Sequence, residues 1–337
     1  MLRSIVAAAV LALAGCVTQP AAQETLLSGE TMGSVWTVKI VGAPPVSAEE
    51  LRAGAQARFD TVNLALSTYR PDSALSRFNN DDSGEWLDMD SEVGEVLDYA
   101  LSLAAESGGA YDVTVGPLVN LWGFGPDPAN RRVPDAAAIE NARARVGWRK
   151  VEVDASKHRA RKEPGVRVDL SSLGKGRGVD RVAEYLDSLH VTNYLIDLSG
   201  KLRARGVNSQ GGAWRVAVEP PQADATSGAP PFPPEIVELR DEGVATAGGY
   251  RRFFEIDGRH YSHIIDPRTG WPVAHNTLSA SAIAADCMQA DALATVLMVM
   301  QPDEAIALAN QRGLRALLIS SDGAAYGAKH SRAWLLN

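Results

Sequence analysis

Residues 251–265 read RRFFEIDGRHYSHII, and they decide the fold class. Asp257-Gly258 lies between two β-rich runs, and this dipeptide supplies the positive φ values of a two-residue hairpin turn. A loop follows, and then an apolar helix from about Cys287 to Met300. Outward from this hairpin, strands and helices do not alternate regularly, so the pattern is α+β rather than a parallel doubly wound sheet.

Downstream, the pattern predicts a last helix over 302–312 and a terminal strand, RALLIS, at 315–320. Upstream, TVKIV (37–41) reads as a strand. Residues 48–66 carry Leu51, Ala55, Phe59, Val62 and Leu66 at helical spacing, before a turn at Arg70-Pro71-Asp72-Ser73. A second amphipathic helix spans 91–107 and ends at Gly108-Gly109. A Gly- and Pro-rich loop (109–128), a helix at 135–145, strands at 149–153 and 165–170, a helix at 178–189 and strands at 192–207 and 213–219 complete the pattern. Residues 220–234 hold six Pro and should be a surface excursion. There is no repeat at solenoid spacing.

The first residues set the compartment. MLRSIVAAAVLALAGC has a basic start and an apolar stretch too short to span a bilayer, so residues 1–16 read as a secretory signal peptide. Leu13-Ala14-Gly15-Cys16 resembles a bacterial lipobox, in which Cys16 is lipidated; the alternative is an ordinary signal peptide with an incidental Cys. Residues 17–25 form a tether, and 26–337 the main domain. This predicts a periplasmic protein, lipid-anchored to a bacterial membrane. Val17 does not distinguish the inner membrane from the outer. With Cys16 lipidated, Cys287 has no partner and reads as a small buried hydrophobe. The net charge of −8 argues against a nucleic-acid binder.

Four segments carry residue types suited to chemistry. In YSHIIDPRTG (261–270), His263 and Asp266 bracket two apolar residues where a strand passes into a loop. The imidazole suits proton abstraction, with the carboxylate orienting it or binding metal; equally, Asp266 caps a turn and His263 fills space. In DCMQADALAT (286–295), Asp291 and Thr295 fall on one helix face. A carboxylate and a hydroxyl are hard donors suited to Mg²⁺, unless the acid merely caps the helix. DLSSLGKGRG (169–178) places three glycines before a helix, where backbone N–H groups can cradle phosphate. AYDVTVGPLVNLWGFG (110–125) offers aromatic and small residues for a flat ligand, or an ordered loop.

Taken in order, these segments resemble the ApbE-type FAD:protein FMN transferase family. The match runs from Thr31-Met32-Gly33-Ser34 through STYRPDSALSRFN (67–79), DVTVGPLVNLWGFG (112–125), DLSSLGKGRGVD (169–180), DLSGKLRARGVNSQGGAWRVAVEPP (197–221) and YSHIIDPRTGWPV (261–273) to CMQADALAT (287–295). The resemblance implies a two-lobed α+β fold with mixed or antiparallel sheets, flanking helices and FAD in the cleft between lobes. It implies that Met32, Tyr69, Ala110, Tyr111, Asp112, Arg177 and Ile265 contact flavin. Mg²⁺ is implied on Asp291, Thr295 and the main-chain carbonyl of Gly174. The chain departs from the family pattern at Lys201, where many relatives are acidic, and at Gly249, often Asp.

The implied reaction moves FMN from FAD to a Thr or Ser hydroxyl of a protein, releasing AMP. The implied acceptor is a subunit of a membrane redox complex with a short Ser/Thr motif. His263 would act as base, assisted by Asp266. Two alternatives remain at this stage: a Mg²⁺-dependent FAD pyrophosphatase giving FMN and AMP, and a lipid-anchored FAD-binding protein without turnover.

Overall fold

The computed structural model describes residues 22–125, 132–218, 232–249, 252–321 and 325–336. The leader, the lipobox, Glu219 and residues 220–231 of the Pro-rich segment lie outside the described residues. In order, the elements are β1 Glu24–Thr31, β2 Ser34–Val41, α1 Ala48–Leu66, α2 Ala74–Asn80, β3 Leu87–Asp88, α3 Ser91–Glu106, α4 Gly116–Leu121, α5 Ala136–Arg143, β4 Val151–Asp154, β5 Arg159–Lys162, α6 Ser171–Ser188, β6 Tyr194–Leu198 and β7 Lys201–Arg205. Then come β8 Trp214–Val218, β9 Glu235–Leu239, β10 Gly243–Gly248, β11 Phe253–Ile256, β12 Arg259–Ser262, β13 Ile265–Asp266, β14 Trp271–Pro272, β15 Thr277–Ala284, α7 Cys287–Val299, α8 Pro302–Gln311, β16 Arg315–Ser321 and β17 Tyr326–His330. None of the described helices is long and apolar enough to cross a membrane.

Eight strands form the main sheet in the order β1-β2-β6-β7-β10-β15-β16-β17, and every described pairing is antiparallel. Because successive strand residues face opposite sides, the sheet feeds two layers. Trp36, Val38 and Ile40 of β2 and Ile196 of β6 pack on Phe59 of α1 and Val179 and Val182 of α6. Ala280 and Ala282 of β15 and Leu318 of β16 face α7, α3 and α8 on the same side. On the opposite side Val41, Ala204, Ile283, Leu317 and Ile319 meet the β8–β9 hairpin. A separate small core of Leu118, Trp122, Phe124, Ile139, Ala142, Phe254 and Ile265 joins α4, α5, β11 and β13. These are the two lobes of an α+β fold.

The predicted hairpin is present: β11 pairs β12 across Asp257 (φ 51°) and Gly258 (φ 70°). Helix α1 has the predicted bounds and opens on a capping box between Ser47 and Glu50. Other expectations need correction. Residues 165–170 are not a strand; the partner of β4 is β5, immediately before. TLSASAIA (277–284), expected as loop, is β15, deep in the sheet between β10 and β16. Strand β1 begins at Glu24, inside the segment expected to be tether.

The largest correction concerns the three glycines of GKGRG. They do not precede a helix but lie within α6. A Cβ at Gly176 would sit 2.6 Å from the Cys287 carbonyl oxygen, and one at Gly178 would sit 2.9 Å from the Phe59 ring. Gly176 and Gly178 therefore allow close approach of α6 to α7 and α1, rather than forming a phosphate cradle at a helix start.

Candidate functional site

The site is built around the start of α7. Asp286 is its N-cap, its carboxylate accepting from the Gln289 N–H at 2.8 Å. A second carboxylate reaches the same turn from α6: Asp180 accepts from the Cys287 and Met288 N–H groups at 2.9 and 2.8 Å. Arg203 of β7 lies 3.1 Å from Asp180. With the helix start satisfied twice over, Asp291 is free of any capping role. It sits inside α7 and is 4% exposed. Burial pushes its carboxyl pKa up, opposed by the charge and hydrogen bond of Lys201. One carboxylate oxygen lies 3.0 Å from Lys201 Nζ and the other accepts from the Gly176 N–H at 3.3 Å. One turn on, the Thr295 hydroxyl donates to the Asp291 carbonyl at 3.1 Å.

Asp291 and Thr295 line a cavity of about 1340 Å³ between the two lobes. Tyr69, Ala110, Tyr111, Asp112, His263 and Ile265 line it too. Tyr69 is 68% exposed, so its ring is free for a ligand. Tyr111 is buried and shares a 2.8 Å hydrogen bond with Ser172 at the start of α6. Asp112 braces its loop, accepting from Thr114 through N–H and hydroxyl and from the Trp148 N–H at 2.9 Å. Burial raises its pKa, against those bonds.

His263 places Nδ1 3.1 Å from the Arg252 carbonyl. A carbonyl only accepts, so Nδ1 carries the hydrogen and Nε2 of the neutral ring keeps its lone pair. Burial lowers the imidazole pKa, which favours that neutral form. The ring packs edge-on against Phe124, centroids 6.2 Å apart.

Four of the sequence-predicted residues are not on the cavity wall. Asp266 is turned to Arg268 of its own loop, whose Nη2 lies 2.8 Å from its carboxylate, and so does not orient His263. Arg177 points to α3, where it pairs with the buried Glu92 and with Glu95. Met32 occupies the tight β1–β2 turn (φ 48°) and packs on the core. Gly174 lies two residues before Gly176 on α6; a Cβ there would meet no atom within 4 Å. Sequence reasoning noted Lys201 only as a departure from the family pattern and missed both its pairing with Asp291 and the place of Lys175 on the wall. Lys175 and Lys201 both line the cavity. Burial lowers the Lys175 pKa, as does the charge of Lys201, while Asp291 opposes both. Two ammonium groups around one carboxylate leave this wall net positive, which suits an anionic pyrophosphate.

The donor chemistry fits Mg²⁺. Asp291 and Thr295 offer hard oxygens, and a carboxylate buried this deeply requires a cation, here supplied by Lys201. Among the described residues no three His, Cys, Asp or Glu side chains converge as a ligand set. A metal on Asp291 would therefore draw on hydroxyl, main-chain and ligand oxygens.

A family model described as the ApbE family matches residues 32–318. The chain is 40% identical over 313 residues to a protein of Vibrio cholerae serotype O1 named FAD:protein FMN transferase, covering 93% of this chain and 91% of that one. A protein of the same name from Salmonella typhimurium is 37% identical over 333 residues, covering 95% and 93%. Among solved structures, the flavin transferase ApbE from Vibrio cholerae superposes with a TM-score of 0.85 at 37% identity, covering 94% of this chain and 99% of that one. The apo form of Pseudomonas stutzeri flavinyl transferase ApbE gives 0.84 at 36% identity, with 93% and 96% covered.

Proposed function

The chain belongs to the ApbE family, and from that premise we infer that it is an FAD:protein FMN transferase. We further propose that it acts on a Ser or Thr hydroxyl and releases AMP. The observation that carries this reading is that one cavity is lined by an imidazole with a free lone pair, the Asp291–Thr295 pair, two lysines and exposed aromatic surface.

FAD would lie with its ring system near Tyr69 and Ile265 and its pyrophosphate toward Lys175 and Lys201. The acceptor hydroxyl forms a new P–O bond to the FMN-side phosphorus while the P–O bond to the AMP bridging oxygen breaks. The hydroxyl proton passes to Nε2 of His263, and AMP leaves with the bridging oxygen. His263 holds the proton while the Arg252 carbonyl keeps its tautomer fixed. Asp291, Thr295 and the Gly174 carbonyl are the proposed holders of Mg²⁺. When bound, that ion supplies charge neutralisation at the phosphate oxygens. Asp266 and Arg177 have structural roles in this reading.

The leader MLRSIVAAAVLALAGC supports export and lipidation at Cys16, so we place the enzyme in the periplasm on a bacterial membrane. An acceptor in a membrane redox complex fits that location. The test is to incubate the protein lacking residues 1–16 with FAD, MgCl₂ and a purified redox-complex subunit carrying a Ser/Thr motif, then follow AMP. Release of AMP that depends on the subunit supports the transferase. Equal AMP and FMN release without it would make the protein a pyrophosphatase, and unchanged FAD would leave only binding.

A further inference from the structure

Beyond facing the proposed pyrophosphate, Lys201 is held by two groups of the protein itself. Lys201 opens β7 and pairs with Ala245 of β10, and the β7–β10 ladder ends at that pair. The next residue of β10, Thr246, therefore has no partner on β7. Its carbonyl accepts from Lys201 Nζ at 2.6 Å instead. The same ammonium lies 3.0 Å from the Asp291 carboxylate, and the Lys201 side chain is only 13% exposed. Lys201 thus meets two needs at once, a buried charge and an orphaned carbonyl.

A divalent ion on Asp291 would stand beside this ammonium. Two positive centres at such separations repel strongly where water is scarce, so both do not occupy one carboxylate. The lysine stem is long and flexible, and the residue lines the cavity, so the ammonium has an exit. The group best able to receive it there is an anionic phosphate. We propose that Lys201 is a built-in competitor for the metal seat: it neutralises Asp291 in the free protein and yields that carboxylate to Mg²⁺ when a phosphate-bearing ligand draws it away. This rests on the assignment of Mg²⁺ to Asp291. Metal and phosphate ligand then bind with positive coupling, since each favours the state with Lys201 displaced.

The test uses MgCl₂ alone, titrated calorimetrically into the protein without nucleotide. Lys201→Gln and Lys201→Met should bind Mg²⁺ at least about tenfold more tightly than the unaltered chain. Removing Lys201 takes away the direct ion-pair partner of Asp291, so MgCl₂ should also raise the thermal midpoint of both variants more than that of the parent. This second reading holds even for weakened folds. Adding Asp291→Asn to Lys201→Gln should cancel both effects. Equal Mg²⁺ affinity with and without Lys201, lost in the Asp291→Asn background, would overturn the competition and keep the metal assignment. Binding unaffected by Asp291→Asn would overturn both.

Discussion

His263 and Asp266 are close in sequence but engage different partners: the imidazole meets the Arg252 carbonyl at 3.1 Å, and the carboxylate is clasped by Arg268. A base–orienter pair is the natural reading of HIID, yet β13 turns the acid away from the ring. The roles separate accordingly. His263→Ala should lower kcat by about 10²–10⁴, the usual worth of a general base. Asp266→Asn removes only a partly exposed ion pair, worth up to about 1 kcal/mol, and should change kcat less than about fivefold. The pH profile adds a check. Burial holds the His263 pKa below the usual 6.5, so its base form persists as pH falls through neutrality. The acid limb of kcat/KM should therefore lie below 6.5 and vanish in His263→Ala.

Arg177 separates family expectation from geometry. Its guanidinium is tied to Glu92 and Glu95 on α3, and Glu92 also receives Arg181. Arg177→Ala should cost roughly 1–3 kcal/mol of stability, less than loss of an unshared buried pair because Arg181 remains. FAD affinity, measured by fluorescence quenching, should stay within about twofold of the parent, since the loss falls outside the cavity. A tenfold loss of FAD affinity with stability unchanged would return Arg177 to the flavin site.

Two of the three glycines of α6, Gly176 and Gly174, should respond in opposite directions. Gly176→Ala places a methyl against the α7 backbone, 2.6 Å from the Cys287 oxygen, and should destabilise by roughly 1–3 kcal/mol despite better helix propensity. At Gly174 no atom stands within 4 Å of the added methyl. Gly174→Ala should be neutral or stabilising by up to about 1 kcal/mol. Urea denaturation of the two variants side by side decides it.

Asp180 gives stability a pH dependence. Burial and the nearby Asp286 lift its pKa to about 6, against the Cys287 and Met288 N–H bonds and Arg203. The folded state then holds a proton that the unfolded chain, near 3.8, has lost. Stability from this group is therefore greatest below about pH 4 and declines as pH rises through 6. The decline is on the order of 2–3 kcal/mol. Asp180→Asn should flatten that segment of the urea-derived stability profile between pH 4 and 6.5.

What was legible in the sequence was what is encoded locally. Asp257-Gly258 fixes its own turn, and the apolar spacing of α1 marks its bounds. Asp291 and Thr295 could be paired because a helix puts residues four apart on one face. The misreadings share a cause in distant partners. GKGRG resembles a loop until Cys287 and Phe59 are known to press on it. TLSASAIA is mostly small residues, as suits a strand wedged between β10 and β16, and so reads weakly as a strand. Lys201 stood out in the sequence only as a departure from the family pattern; the packing of β7 on α7 is what sets it against Asp291. Asp180 likewise caps a helix more than a hundred residues away.

The most direct measurement is intact and peptide mass spectrometry of the redox-complex subunit after incubation with this protein, FAD and MgCl₂. The expected result is one FMN joined by a phosphoester to a Ser or Thr of the subunit, with AMP formed in equal amount, and neither product in His263→Ala on the same timescale. An unmodified subunit beside accumulating free FMN and AMP would contradict transfer to protein.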